Sequence, residues 1–389
     1  MIRLSFTSLL LSLVACDSGT DDSGSTATDT AEDSGADTST DTSTDTGEDT
    51  GEDTGTMADI TIQGTWVDNW GSDHVVSNTA WMSGSSAFAI SVYDNDGAYA
   101  IAQNDAANEW SPGLWSRFDW GWAGGELLYC QTAYDKASEA DALATPAADI
   151  SSPGTGCGGF SWSVLRAPLS ISADYDDAWG GHHVVDAFDW RQDFGGYRIT
   201  RADDAAQWVV AQNASDNSWN PDLWSRFDWA WQDDELYYCQ TAYDKASEAD
   251  ALATPAADAS DIAGGCGGFS WTELREVLSI NGNWNDNWGS NHVINAFAWT
   301  TGSSSYDITQ AHDAEGWLVA QNSASNEWSP GLWSRFDWTW DSEGGLWYCQ
   351  TAYAASTEAD AVATPAADPS DPANTGCGGF SWSSLSVNP

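Results

Sequence analysis

From residue 58 onward, apolar and polar positions alternate with the period of two that a half-buried strand requires, and clusters of turn residues interrupt the alternation. Residues 61–66 alternate. Residues 88–93 put Phe88, Ile90 and Val92 on one face, and the polar turn 94–97 leads into an apolar run over 99–103. A second hairpin is expected from 115–122, the glycines Gly124 and Gly125, and 126–134, with a last strand over 160–165. On alternation Phe118, Trp120 and Trp122 face the core, while Trp115, Arg117 and Asp119 share the other face. One segment breaks the pattern: Ser138 suits an N-cap, Glu139 and Asp141 a first helical turn and Pro146 a stop, so 138–144 reads as a short helix. The expected unit is a β-meander of roughly seven strands with one helical excursion, closed as a small barrel or stacked as a sandwich.

This unit occurs three times. The segment LWSRFDW recurs so that Arg117, Arg226 and Arg335 stand 109 residues apart, and His74, His183 and His292 keep the same step. Three all-β antiparallel domains follow, over 58–166, 167–275 and 276–389, each long enough for its own core. Their joints are only a few residues long, at 166–168 and 275–277. A monomer of three closely spaced domains is the expectation.

Each copy carries two cysteines, Cys130 and Cys157, Cys239 and Cys266, Cys349 and Cys377. Outside the cytoplasm such pairs read as disulfides, each closing the helical loop and contributing about 3 kcal/mol in the chain-entropy picture. The spacing lacks CxxC, which argues against a metal site; no metal or cofactor set is expected.

Charge narrows the partners. With 59 acidic against 11 basic residues the net charge is −48, which disfavours nucleic acid and leaves no polybasic run for an anionic membrane face. Residues 17–57 are almost entirely Asp, Glu, Ser, Thr, Gly and Ala, with no aromatic, Lys or Arg, so a disordered acidic spacer is expected. Residues 1–16 combine Arg3, an apolar run too short to span a bilayer, and Leu13-Val14-Ala15-Cys16. That ending resembles the bacterial lipobox. The resemblance implies a signal peptide cut before Cys16, acylation of that cysteine, membrane attachment through lipid, and a place at the outer membrane or cell surface facing an oxidising compartment. Seven cysteines fit, since three pairs leave Cys16 over.

Two further likenesses concern the repeats. Gly64-Thr65-Trp66 and Gly282-Asn283-Trp284 resemble the GxW start of lipocalin-like barrels, while the middle copy departs with Ala173 and Tyr175. The set LWSRFDW, YCQTAY and CGGFSW is similar to repeat domains of secreted bacterial lipoproteins; it implies architecture and carries no activity.

All 26 tryptophans lie in the repeats, more indoles than cores of this size hold, so some are expected at the surface. Trp110, Trp219 and Trp328 sit beside a proline in a turn and are the foremost contact candidates. Trp115, Arg117, Trp224, Arg226, Trp333 and Arg335 form the second set, either as structural Arg–Asp pairs beside an indole or as a sugar-stacking platform. His74 and Asp68, with their counterparts, read as a structural hydrogen-bonded pair or the start of an acid/base pair. No nucleophile elbow, HExxH, P-loop or dinucleotide fingerprint is present. The expected function is therefore non-catalytic and multivalent, binding glycans or a protein surface through exposed tryptophan, with a surface spacer as the alternative.

Overall fold

The computed structural model describes residues 58–388. Cys16 and the acidic segment 17–57 lie outside the described residues. The first repeat comprises β1 (Gly64–Asp68), β2 (Asp73–Val76), β3 (Ala80–Ser83), β4 (Ser86–Asp94), β5 (Tyr99–Asn104), β6 (Trp115–Ala123), β7 (Glu126–Lys136), α1 (Glu139–Leu143) and β8 (Ser163–Arg166). The second comprises β9 (Asp174–Asp177), β10 (His182–Val185), β11 (Asp189–Gln192), β12 (Gly195–Asp203), β13 (Trp208–Asn213), β14 (Trp224–Gln232), β15 (Glu235–Lys245), α2 (Glu248–Leu252) and β16 (Thr272–Glu276). The third comprises β17 (Gly282–Asp286), β18 (Asn291–Ile294), β19 (Ala298–Thr301), β20 (Ser304–His312), β21 (Trp317–Asn322), β22 (Trp333–Trp340), β23 (Leu346–Ala355), α3 (Glu358–Val362) and β24 (Ser383–Val387).

Each set of eight strands closes into an antiparallel up-and-down barrel, the first strand pairing with the eighth. Closure decides between barrel and sandwich. The six segments read from alternation become eight strands because two four-residue strands, β2 and β3, lie between the first two of them. The helix forms where its cap placed it: the Ser138 hydroxyl accepts from the Asp141 N–H at 3.2 Å.

The interior is filled rather than hollow. In the first barrel Ile60, Ile62, Val76, Trp81, Phe118, Leu127 and Leu165 are almost fully buried, with Trp81 stacked on Phe118 at a centroid distance of 4.5 Å. Burying one such indole contributes roughly 4 to 6 kcal/mol as an upper bound, so a few rings dominate the core. A second, smaller cluster lies outside the barrel wall, where Trp162 packs on Leu128 and the Cys130–Cys157 disulfide. The other two bridges, Cys239–Cys266 and Cys349–Cys377, repeat it. Three disulfides fit an oxidising, extracytoplasmic environment.

Because neighbouring strands alternate in direction, the connections β1–β2, β3–β4, β5–β6 and β7–β8 all leave from one end of the barrel, here called the mouth. The chain enters and leaves at the opposite end. There Arg166 reaches into the second barrel, donating to the carbonyls of Ile199 (2.8 Å) and Ala187 (3.2 Å) while lying over the Phe188 ring. Arg275 does the same to Ile308 and Phe297 of the third barrel. The third barrel carries Ser386 at the corresponding position, opposite Asn285.

One placement corrects the alternation argument. Phe118 and Trp120 are buried as expected, but Trp122 is two-thirds exposed, because β6 runs past the core at the joint end. Trp122 and its counterpart Trp231 instead line clefts between successive barrels.

Candidate functional site

The mouth collects aromatic rings from separate connections. Trp110 at 77 %, Trp219 at 79 % and Trp328 at 77 % are among the most exposed large side chains of the chain. Tyr134, Tyr243 and Tyr353 accompany them near the mouth end of the seventh strand of each barrel. Exposed indoles also stand in the first turn, at Trp70, Trp179 and Trp288.

The tryptophan-bearing turn is held in place from below. Asn104 is buried, and its amide donates both to the Ser111 carbonyl (2.8 Å) and to the Tyr134 carbonyl (3.0 Å), fastening the turn to β7. Its own oxygen accepts from the Ser116 hydroxyl at 2.6 Å, which in turn accepts from Gln131. Asn108 clamps the turn to the strand opposite through both backbone groups of Ala87. The residue after each exposed tryptophan, Ser111, Asn220 and Ser329, adopts φ of 51°, a left-handed conformation costing a non-glycine residue of order 1 kcal/mol. That cost recurs at one position in all three barrels. The surroundings offset it, and the indole stands on a rigid turn.

The mouth of the middle barrel adds an exposed phenylalanine to its tryptophan and tyrosine. Phe194 and Trp219, both more than three-quarters exposed, and Tyr243 rim a cleft of about 420 Å³, with Tyr197, Gln192 and Gln240 deeper in. Burial raises the Tyr197 hydroxyl above its ordinary value, so it stays a neutral donor at physiological pH. Asn213 and Asn217 repeat the clamps of Asn104 and Asn108. Flat apolar faces beside uncharged amides and a hydroxyl suit a polyhydroxylated ring.

The second set of candidates lies elsewhere. Arg117, Arg226 and Arg335 are each 6 % exposed, paired with Asp119, Asp228 and Asp337 at 2.8, 2.8 and 3.0 Å. Arg117 also donates to the Leu143 carbonyl at the end of α1 and lies over the Tyr99 ring, and Asp119 accepts from Thr132. Every face of the guanidinium is occupied, so these arginines pin the helical loop to the barrel wall and offer nothing to a ligand. Trp115, Trp224 and Trp333 are half-buried on the same wall. The outward face of β6 faces protein because the disulfide-closed loop folds back over it.

The histidine sits inside the barrel. His74 is fully buried; Trp81 donates to its Nδ1 at 3.1 Å, and its Nε2 lies 3.2 Å from the Asp68 carboxylate, which also accepts from the Tyr129 hydroxyl. An indole only donates, so Nδ1 is the acceptor and Nε2 carries the proton. Burial by itself would raise the Asp68 carboxyl, but hydrogen bonds from His74 and from the N–H groups of Ser72 and Trp70 outweigh it and hold the group below the usual carboxylate range. His183 and His292 repeat the arrangement. With both ring nitrogens engaged, this is an internal strut rather than an acid/base pair. Among the described residues no cluster of three or more metal-ligating side chains occurs.

No protein-family model, no curated protein and no solved structure matches this chain.

Trp70, Tyr134 and Phe194 were not singled out from sequence. The signal for Trp70 was present: Asp68 opens a turn in which its carboxylate accepts from Trp70 and Ser72, leaving the indole outside.

Proposed function

We propose that the chain is a lipid-anchored surface protein that binds saccharide chains through the mouths of its three barrels. The observation that carries this reading is the middle mouth, where Phe194, Trp219 and Tyr243 converge from three separate segments beside uncharged hydrogen-bonding groups. Solvent-exposed indoles on strained, doubly clamped turns add nothing to the core, and their cost is recovered when an apolar sugar face covers them. Single mouths of this openness bind weakly; three on one chain add through effective concentration. Cys16 supplies the attachment, since the six repeat cysteines are all paired.

A screen of polysaccharides against the full chain tests the reading. Binding that falls when Trp110, Trp219 and Trp328 are replaced together by alanine supports it; binding indifferent to that replacement removes it. A second reading, a spacer, is favoured by the arginine joints, which stiffen the row of barrels; it expects no saccharide response. Mass spectrometry of the mature amino terminus tests the anchor, and an unmodified Cys16 would remove it.

A further inference from the structure

The basic residues of this acidic chain are distributed unevenly. Of the eleven, Arg3 lies outside the described residues, and Arg117, Arg226 and Arg335 are buried against aspartates. Arg166 and Arg275 hold the joints, and Lys136 and Lys245 are half-buried beside Asp135 and Asp244. The three that remain, Arg191, Arg198 and Arg201, are exposed, and all three stand on the β11–β12 hairpin of the middle barrel. Phe194 forms the tip of that same hairpin.

The fold does not require them. At the same step of 109 residues the first barrel has Met82, Ala89 and Val92, the third has Thr300, Asp307 and Gln310, and Ser85 and Ser303 replace Phe194. Both sister hairpins close the same barrel in the same register. The like charges of the three arginines are partly offset by Asp186 and by Asp189, which stands opposite Arg198. Their ion pairs, Arg191 with Asp186 at 3.6 Å and Arg201 with Glu248 at 3.5 Å, are solvent-exposed and stabilise little. The first two copies are nearly identical over the LWSRFDW strand and CQTAYDKASEADALATPAAD and differ widely before them, yet within that variable half only the middle copy places arginines on this hairpin.

Geometry connects the hairpin to the mouth. Trp190, Tyr197 and Ile199 point inward, and Arg191 and Arg198 alternate with them on the outer wall. Arg191 faces Gly196 across the strand pair, so no opposing side chain covers it, and Arg198 comes next, opposite Asp189. A polymer seated on Trp219 and Phe194 crosses the hairpin tip and meets Arg191 and then Arg198. On a chain of net charge −48, an anionic polymer is repelled from other approaches and this strip fixes where it lands.

Resting on the saccharide reading above, we infer that the middle barrel recognises an acidic polysaccharide, stacking sugar rings on Trp219 and Phe194 and placing a ring carboxylate or sulfate on Arg191 and Arg198. The sister barrels, lacking the strip, take neutral segments or bind more weakly. This division of labour is specificity by charge on a shared aromatic platform.

Calorimetric titration of the full chain tests it, with three probes: an oligogalacturonate, its neutral methyl ester and a sulfated galactan oligosaccharide. The variant Arg191→Thr with Arg198→Ala introduces residues that the sister barrels already hold, so folding is retained. The expected result is a roughly tenfold or greater loss of affinity for an acidic probe, reproduced in the parent chain by high salt, with the methyl ester unaffected. The stronger of the two acidic probes identifies carboxylate or sulfate. Acidic and esterified probes binding alike to both chains would overturn the inference and leave the saccharide reading standing. Failure of all three probes together with a Trp219→Ala chain indistinguishable from the parent in the polysaccharide screen would overturn both.

Discussion

Trp190 and Trp219 belong to the same barrel and play opposite parts. Trp190 is fully buried, stacked on Phe227 at 4.7 Å, with its N–H spent on His183. Trp219 is 79 % exposed on a turn clamped by Asn213 and Asn217. Two of the tryptophan populations thus differ in role: one fills a barrel too narrow for a ligand, and another stands at its rim. The same contrast recurs in the first barrel, between Trp81 and Trp110.

The sharpest break of that comparison is to remove each ring in turn. Trp190→Ala should destabilise the middle barrel by about 3–5 kcal/mol, because the cavity cannot collapse between Phe227 and Tyr238. Denaturant titration of the full chain followed by hydrogen exchange of the middle barrel reads this loss. Arg226→Ala should cost a comparable ~3–5 kcal/mol, since it leaves Asp228 buried without its counter-charge. Retention of the parent midpoint there would show that the arginine is dispensable to the fold and free for another role. Replacing Cys239 and Cys266 together by serine should cost about 3 kcal/mol and expose the loop that carries α2 to protease first.

Smaller still is the response to acid. The carboxyls of Asp177 and Asp286 are held below the ordinary range: burial opposes this, but hydrogen bonds from His183 and His292 and from backbone N–H groups prevail. Burial likewise lowers His292, despite its Asp286 partner. In both cases the unfolded chain binds the proton more readily, so the stabilisation is complete above the unfolded values and is lost as pH falls. Stability should be flat at neutral pH, decline gently below about 6.5 and more steeply below about 4. Asp286→Asn should flatten the lower limb for the third barrel; an unchanged acid limb would contradict the role given to that carboxylate. At the far end of the scale, Trp219→Ala should change stability by no more than about 0.5 kcal/mol.

Much of the fold was legible because its signals are local. Alternation gave the long strands, the 109-residue step gave three domains, and Ser138 with Pro146 bounded α1. Two things were not. The strands β2 and β3 are four residues each, too short for alternation to register, yet they close the barrel. The fate of Arg117 and Trp122 depends on tertiary structure: a loop returning over one wall buries the first, and a strand outrunning the core exposes the second. Of the site, the exposure of Trp110, Trp219 and Trp328 followed from proline-bearing turns. Phe194 and the arginine strip did not, because they are confined to one copy and gain meaning only once the hairpin is seen beside the mouth.

The most direct test of the central claim, that rim indoles are contacts and core indoles are not, is acrylamide quenching of tryptophan fluorescence during titration with a bound polysaccharide. The expected result is loss of the quenchable, red-shifted component as the rim rings are covered, with the buried component unchanged and the effect reduced in Trp219→Ala. A saturating ligand that leaves the accessible indoles as quenchable as before would contradict it.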